Sequence, residues 1–581
     1  MRQRQRSTLT RWTVTLALVA LWPCAEANHV PLEAINLLKD VPTLPLGLYR
    51  HLKAQTTRSQ AQASIGGTTR DTQTVFAPTS TRASLRDTYQ AHWFDQLVSH
   101  DPNVPASPVN ATFRQRFWFD ATYFKPGGSV FLLDGGEANA HERLPLLEHG
   151  ILQILAKATG GIGIVFEHRY YGESFPVKNL STDSMRFLTT MQSLQDSAHF
   201  ANNIVLPGFE EFNLTAKDTA WIYYGGSYAG AKSAFARSLF PETWWGAIAS
   251  SAVTTAIEDY WEYYEPIRLS GPRECIKRLE RHTALIDKML GLSNPLITSS
   301  LKSFFGLGNV TKDEDFVNAL TIPLSTWQAR NWDPQVGSEL FFEFCDRIEE
   351  DGNSDEAEDV PSFWSLMWPK DPRQAFASFA TYANYVKMNI STLCPDDVSQ
   401  DDCFGTDVYQ GDSLEDADWR SWSYQVCQEW GYWIGCPPSE DMPSIVSRLL
   451  KPEYTSKICR LAFQDGRINT IPARPNVTMI NQFGGYNLKY DRLAFIDGDE
   501  DPWLYATPHS PHAKRRRDTT NKPFKLIKGG VHHWDENGQS NSTQEPHRIQ
   551  KIHEQEIDFV KEWLIQWRDR GKWKTGPWHD F

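Results

Sequence analysis

The chain has 581 residues, 58 of them basic and 71 acidic, for a net charge of −13, with 40% of residues hydrophobic. So acidic a balance argues against nucleic acid as a partner, and no mature stretch of ~18 apolar residues argues for a membrane span. The length exceeds the ~250–300 residues of a single core, so at least two structural units are expected.

Residues 1–27 read as a secretory leader. Arg2, Arg4, Arg6 and Arg11 precede an apolar run from Val14 to Trp22, and Ala25-Glu26-Ala27 offers a small-x-small cleavage site. Its removal takes the 58 basic and 71 acidic groups to 54 and 70, a net charge of −16. A secreted protein is expected, with a vacuolar or lysosome-like destination as the alternative. Sequons at Asn110, Asn179, Asn213, Asn309, Asn389, Asn476 and Asn541 imply N-linked glycans. Residues 28–85, Ser/Thr/Gln-rich from Gln55 to Thr81, read as a flexible lead-in or propeptide.

From there buried-strand patterns alternate with helical ones. His92 to Asp95 and Thr112 to Phe119 alternate as strands do, and Ser129–Leu133, Gly161–Phe166, Trp221–Tyr224 and Ala247–Val253 are apolar runs. Helical stretches such as His141–Ala158 and Phe187–Phe200 separate several of them, which implies a mostly parallel sheet covered on both faces. Residues 86–256 therefore form the first part of an α/β domain. Residues 257–461 change texture to helices with long connections and carry all seven mature cysteines: Cys275, Cys345, Cys394, Cys403, Cys427, Cys436 and Cys459. Outside the cytosol these give up to three disulfides and one thiol left over, with the pairing open. An acidic run from Asp346 to Asp359 reads as a solvated loop. Residues 462–581 return to buried strands at Arg492–Ile496 and Phe524–Ile527 and close with an amphipathic helix, roughly His547 to Arg568.

The chemistry gathers at strand ends. Trp221 to Tyr224 runs into Gly225-Gly226-Ser227-Tyr228-Ala229-Gly230, a strand, a tight turn and a helix, close to the nucleophile elbow of α/β-hydrolases with Ala229 at the second small position. Ser227 is the candidate nucleophile, and the N–H of Tyr228 at the helix start is a candidate oxyanion donor. A serine hydroxyl needs an imidazole to take its proton and a carboxylate to orient that imidazole. The strand at 492–496 leads to Asp497, Asp499, Glu500 and Asp501, and the one at 524–527 to His532 and His533. Asp501, stiffened by Pro502 and covered by Trp503, is the chosen carboxylate, and His532 the chosen base with His533 behind it. Calcium binding or plain solvation is the alternative for the acidic group. Gly135 and Gly136, after an early strand, are placed to give the second oxyanion N–H. Glu137 and Trp503 are candidate substrate contacts. No C-x-x-C spacing suggests zinc, and no cofactor is expected.

The segments TFRQRFWFD, VFLLDGGE, EHRYYGES, GGSYAG, YQVCQEWGYW, DGDEDPW and GGVHHWD follow one another between residues 112 and 535. Together they resemble the secreted and lysosomal serine peptidases that include prolyl carboxypeptidase, dipeptidyl peptidase II and fungal acid prolyl endopeptidases. The resemblance implies an α/β-hydrolase domain interrupted by a helical, disulfide-bearing cap. It also implies a triad of Ser227, Asp501 and His532, and hydrolysis of peptides or proteins on the carboxyl side of proline. The mode expected is that of a carboxypeptidase or a dipeptidyl or tripeptidyl peptidase. A proline-specific endopeptidase, an esterase or lipase, and a non-catalytic secreted glycoprotein are the alternatives. Two departures stand out: Asp497 where relatives often carry asparagine, and a polar loop, Thr507–Lys522, holding Lys514-Arg515-Arg516-Arg517 as a solvated insertion or a processing site. Activity on the acidic side of neutrality is expected, which requires His532 to remain uncharged there. Oligomeric state is left open.

Overall fold

The structure, a computed structural model, describes residues 45, 48–53, 88–104, 106, 110–350, 372–407 and 411–573. The leader, most of the lead-in, the acidic run beyond residue 350 and the end of the Trp-rich tail lie outside the described residues.

One eight-stranded sheet organises the chain. Its strands are β1 (His92–Leu97), β2 (Thr112–Asp120), β3 (Val130–Asp134), β4 (Ile162–Phe166), β5 (Trp221–Gly226), β6 (Gly246–Ser250), β9 (Leu493–Gly498) and β10 (Phe524–Ile527). They lie in the order β1-β2-β4-β3-β5-β6-β9-β10. β2 runs antiparallel to both β1 and β4, and every later pairing is parallel. Every residue of β3, β4, β6 and β9 is buried, as strands covered on both faces must be. The cover comes from α1 (Ile151–Thr159), α2 (Thr190–Asn203), α3 (Ser227–Leu239) and the closing α9 (His547–Trp573). α1 packs with α9 and α2 with α3. A parallel sheet in this strand order, with an antiparallel second strand and crossover helices, is the α/β-hydrolase fold.

The long excursion leaves the sheet after β6 and returns at β9. It carries α4 (Arg273–Gly291), α5 (Pro295–Phe304), α6 (Leu340–Glu349), α7 (Pro372–Asn389) and α8 (Ala417–Gln425). Two short strands, β7 (Ile257–Asp259) and β8 (Gly431–Trp433), pair in parallel at its base. Three disulfides tie it together: Cys275–Cys345, Cys394–Cys403 and Cys427–Cys459. Cys436 is the buried free thiol.

The lead-in differs from its reading at one place. Residues 48–53 are helical, with Leu48 and Leu52 fully buried and the Lys53 ammonium bonded to Asp418 at 2.8 Å. Two leucines at i and i+4 share one helix face and give that turn something to bury, so this part of the lead-in is docked on the fold.

Candidate active site

The elbow has a glycine at the end of β5, Gly225, and another in α3, Gly230, because nothing larger fits at either. A Cβ on Gly225 would lie 2.1 Å from the carbonyl oxygen of Ala229, and one on Gly230 would lie 2.5 Å from that of Ser250. Between them Ser227 opens α3 with φ +59°, a left-handed conformation that a non-glycine residue adopts at a cost of about 1–3 kcal/mol. This is the geometry of an elbow, with the serine at its apex. The N–H of Tyr228, in the first turn of α3, needs no acceptor inside the helix and sits where the helix dipole is positive.

Each of the four late carboxylates has its own partner, and only one faces a strand-end histidine. Asp497 meets His509 at 2.6 Å, Asp499 accepts the N–H of Gly529 at 2.6 Å, and Glu500 pairs with Arg330 at 2.9 Å. Asp501, fully buried, takes the His532 ring at Nδ1, 3.0 Å from Oδ1 and 2.9 Å from Oδ2. A carboxylate there fixes the tautomer: Nδ1–H donates, and Nε2 is left with its lone pair. The N–H of Trp503 also donates to Asp501, at 2.9 Å. Burial works against charge on this carboxyl, but the neighbouring His532 and its hydrogen bond, with those of Trp503 and Ser251, hold it below its ordinary range. The Asp497–His509 contact also accounts for the aspartate that departs from the family pattern.

The histidine loop lies against the elbow. A Cβ on Gly226 would be 3.2 Å from Cγ of His533, and the rings of His532 and His533 are 4.4 Å apart. His533 itself pairs with Glu536 at 2.8 Å. Glu536 is set at about 2: burial pushes it up, and Arg143 and His533 more than offset that.

The expected oxyanion glycines need correction. The N–H of Gly135 donates to the Phe166 carbonyl at 2.8 Å, continuing the β3–β4 ladder, and that of Gly136 donates to Asp134 Oδ1 at 2.9 Å. Both are therefore occupied, and the next N–H in the turn is that of Glu137. The Glu137 carboxyl is raised by burial, opposed by its own N–H and by Arg143 and His533. Trp503 is enclosed by Tyr260, Tyr263 and Tyr432 and donates its Nε1–H to Gln328. Its place is in packing the Asp501 turn, not in an open subsite.

A second network, not anticipated from the sequence, surrounds Tyr228. The Tyr171 hydroxyl donates to Gln425 Oε1 at 2.7 Å, and Gln425 Nε2 donates to the Tyr228 hydroxyl at 2.7 Å. The Tyr228 hydroxyl lies 3.0 Å from His168 Nε2, and His168 Nδ1 lies 2.6 Å from the Arg169 carbonyl. A carbonyl only accepts, so Nδ1 carries the proton and Nε2 accepts from Tyr228. Burial, with Lys232 nearby, lowers His168 to about 3 and keeps it neutral in this role. The only sequence hint was that Gln425 and Tyr171 both fall in quoted motifs.

A sequence profile of the serine carboxypeptidase S28 family matches residues 106–555. The chain belongs to that family. A probable extracellular serine carboxypeptidase of Arthroderma benhamiae is 39% identical over 493 residues, covering 82% of this chain and 68% of that protein. The serine protease vicPb of Bipolaris victoriae is 31% identical, covering 76% and 83%, and the human thymus-specific serine protease is 26% identical, covering 71% and 76%. The elbow, the two strand-end loops and the whole insertion fall inside the matched span. This S28 chain is thus a serine peptidase on an α/β-hydrolase fold. Among its described residues no helix is long and apolar enough to cross a membrane, and no group of histidine, cysteine and carboxylate side chains is arranged to hold a metal ion.

Proposed function

We propose that this S28 peptidase is a secreted enzyme that cleaves peptides through an acyl-enzyme on Ser227, with His532 as general base and Asp501 as the carboxylate that orients it. The observation that carries the reading is the Asp501–His532 pair, buried and bonded through Nδ1, on a loop packed against the strained serine. In that arrangement His532 Nε2 takes the Ser227 proton as Oγ attacks the scissile carbonyl, then returns it to the leaving amine. Water activated by the same imidazole frees the acyl group. The N–H of Tyr228 holds the oxyanion.

Cleavage after proline is part of the proposal and rests on the run of motifs shared with prolyl peptidases. The exopeptidase mode is supported by Glu137, a carboxyl in the turn after β3 that can bind a substrate ammonium. That favours a dipeptidyl or tripeptidyl peptidase over the carboxypeptidase mode, which needs a cation at the same place.

Two measurements test this. A fluorophosphonate should label the wild type and not Ser227→Ala, and unchanged labelling of the variant rules out Ser227. Incubation with a Pro-containing peptide library, read by mass spectrometry, should show two or three residues released from the amino end after proline. Cleavage within long peptides instead defeats the exopeptidase mode.

A further inference from the structure

β6 delivers two consecutive serines, Ser250 and Ser251, to the C-terminal edge of the sheet, both fully buried. Neither lies in a motif that named a catalytic group. Ser250 Oγ donates to Asp535 Oδ1, and the Tyr224 hydroxyl donates to Asp535 Oδ2 at 2.8 Å. Asp535 stands three residues after His532, so this grips the far side of the histidine loop. Ser251 grips the near side. Its N–H extends the β6–β9 ladder to Ile496 O at 2.8 Å, and its Oγ accepts the N–H of His533 at 2.9 Å. It also helps hold the Asp501 carboxyl below its ordinary range.

The backbone marks this serine as well. Ser251 has φ +43°, the left-handed region, where a residue other than glycine is strained and stays only if its surroundings hold it. A glycine would sit there without strain, but it would leave the His533 N–H short of a partner.

We propose that Ser251 is a positioning residue of the catalytic centre, whose hydroxyl holds the backbone of the His532–His533 loop in register with the sheet. The inference rests on the reading of Ser227, Asp501 and His532 as the triad. Acting through the backbone of the histidine loop, Ser251 sets the direction of the imidazole without touching substrate.

Ser251→Ala and Ser251→Gly separate this role from a structural one. Alanine keeps the backbone strain and removes the hydroxyl, whereas glycine removes both. Both variants should lose kcat on a Pro-containing peptide by about 10- to 100-fold with KM within about twofold, the loss expected of a slightly misdirected base. The rate of fluorophosphonate labelling at Ser227 should fall in parallel. Glycine should have the higher Tm of the two, since it relieves the left-handed strain. A glycine variant with wild-type kcat, or variants that change KM alone, overturns the proposal. Should alanine fail to fold, the glycine variant carries the test. Residual activity in Ser227→Ala would defeat the triad reading itself, whereas full loss there with wild-type kcat at Ser251→Gly defeats only the role of Ser251.

Discussion

Asp497 and Asp501 lie four residues apart in one acidic turn, yet they hold different histidines. Asp497 accepts from Ala252 N–H and meets His509, whose ring stacks on Phe524 at 3.6 Å between centroids. Asp501 meets His532. Asparagine at 501 keeps the shape but presents an amide where Nδ1–H needs an acceptor, and it permits the wrong tautomer. The Asp501→Asn variant should therefore lose kcat by about 10³- to 10⁴-fold with little change in KM. Asp497→Asn should keep kcat within a few-fold and lose about 1–3 kcal/mol of stability, the cost of weakening a buried charged hydrogen bond. Steady-state kinetics and urea unfolding on the two variants check both halves, and comparable kcat losses would contradict the assignment of Asp501. The choice between these carboxylates was legible because Pro502 and Trp503 follow only one of them. The engagement of the Gly135 N–H by Phe166 was not, because it comes from strand pairing, which a local reading of two glycines does not contain.

Elements were legible where burial repeats at short range. β3, β4, β5 and β9 fall within about two residues of the apolar runs that announced them, since a strand buried on both faces is a continuous apolar word. The elbow was equally plain, since crowding leaves small residues as its signature. That crowding gives a prediction: Gly225→Ala pushes a methyl group to 2.1 Å from the Ala229 carbonyl oxygen. β5 and α3 are both held in the core and neither can give way cheaply. The variant should lose at least ~3 kcal/mol, read as a drop in the urea midpoint, and wild-type stability would show the turn to be looser than described. The insertion was legible only as texture. Its disulfides join residues 70, 9 and 32 apart, and no spacing rule selects those pairs. The grip of Gln425 on Tyr228 spans 197 residues and was invisible for the same reason.

At the scale of the molecule the insertion and the hydrolase core meet through buried ionisable groups, and these make stability depend on pH. Glu429, in the turn after α8, accepts the N–H and the hydroxyl of Thr190 at the start of α2, at 2.7 and 2.6 Å. Tyr228 and Tyr424 are the titratable groups whose own ionisation its charge opposes. Burial raises Glu429 from the usual 4.5 to about 7, against the hydrogen bonds from Thr190 and Trp430. The folded state thus holds a proton that the unfolded chain releases, so this group's contribution is full below pH 4.5 and is lost as pH rises through about 7. Asp535, raised to about 6 by burial, acts in the same direction. His168 and His282, both lowered to about 3 chiefly by burial, act oppositely, because the unfolded chain takes up protons below about pH 6.5. The overall pH curve mixes these signs, whereas the difference between wild type and Glu429→Gln isolates one group. Glutamine keeps an oxygen for Thr190 and cannot ionise. Relative to that variant, wild-type stability should fall by on the order of 2–4 kcal/mol between pH 4.5 and 7.5. Paired urea titrations at the two pH values measure it. A difference that stays flat, or that grows in favour of the wild type as pH rises, would mean that Glu429 is already ionised in the folded enzyme, and that the contact between insertion and core does not weaken toward neutrality.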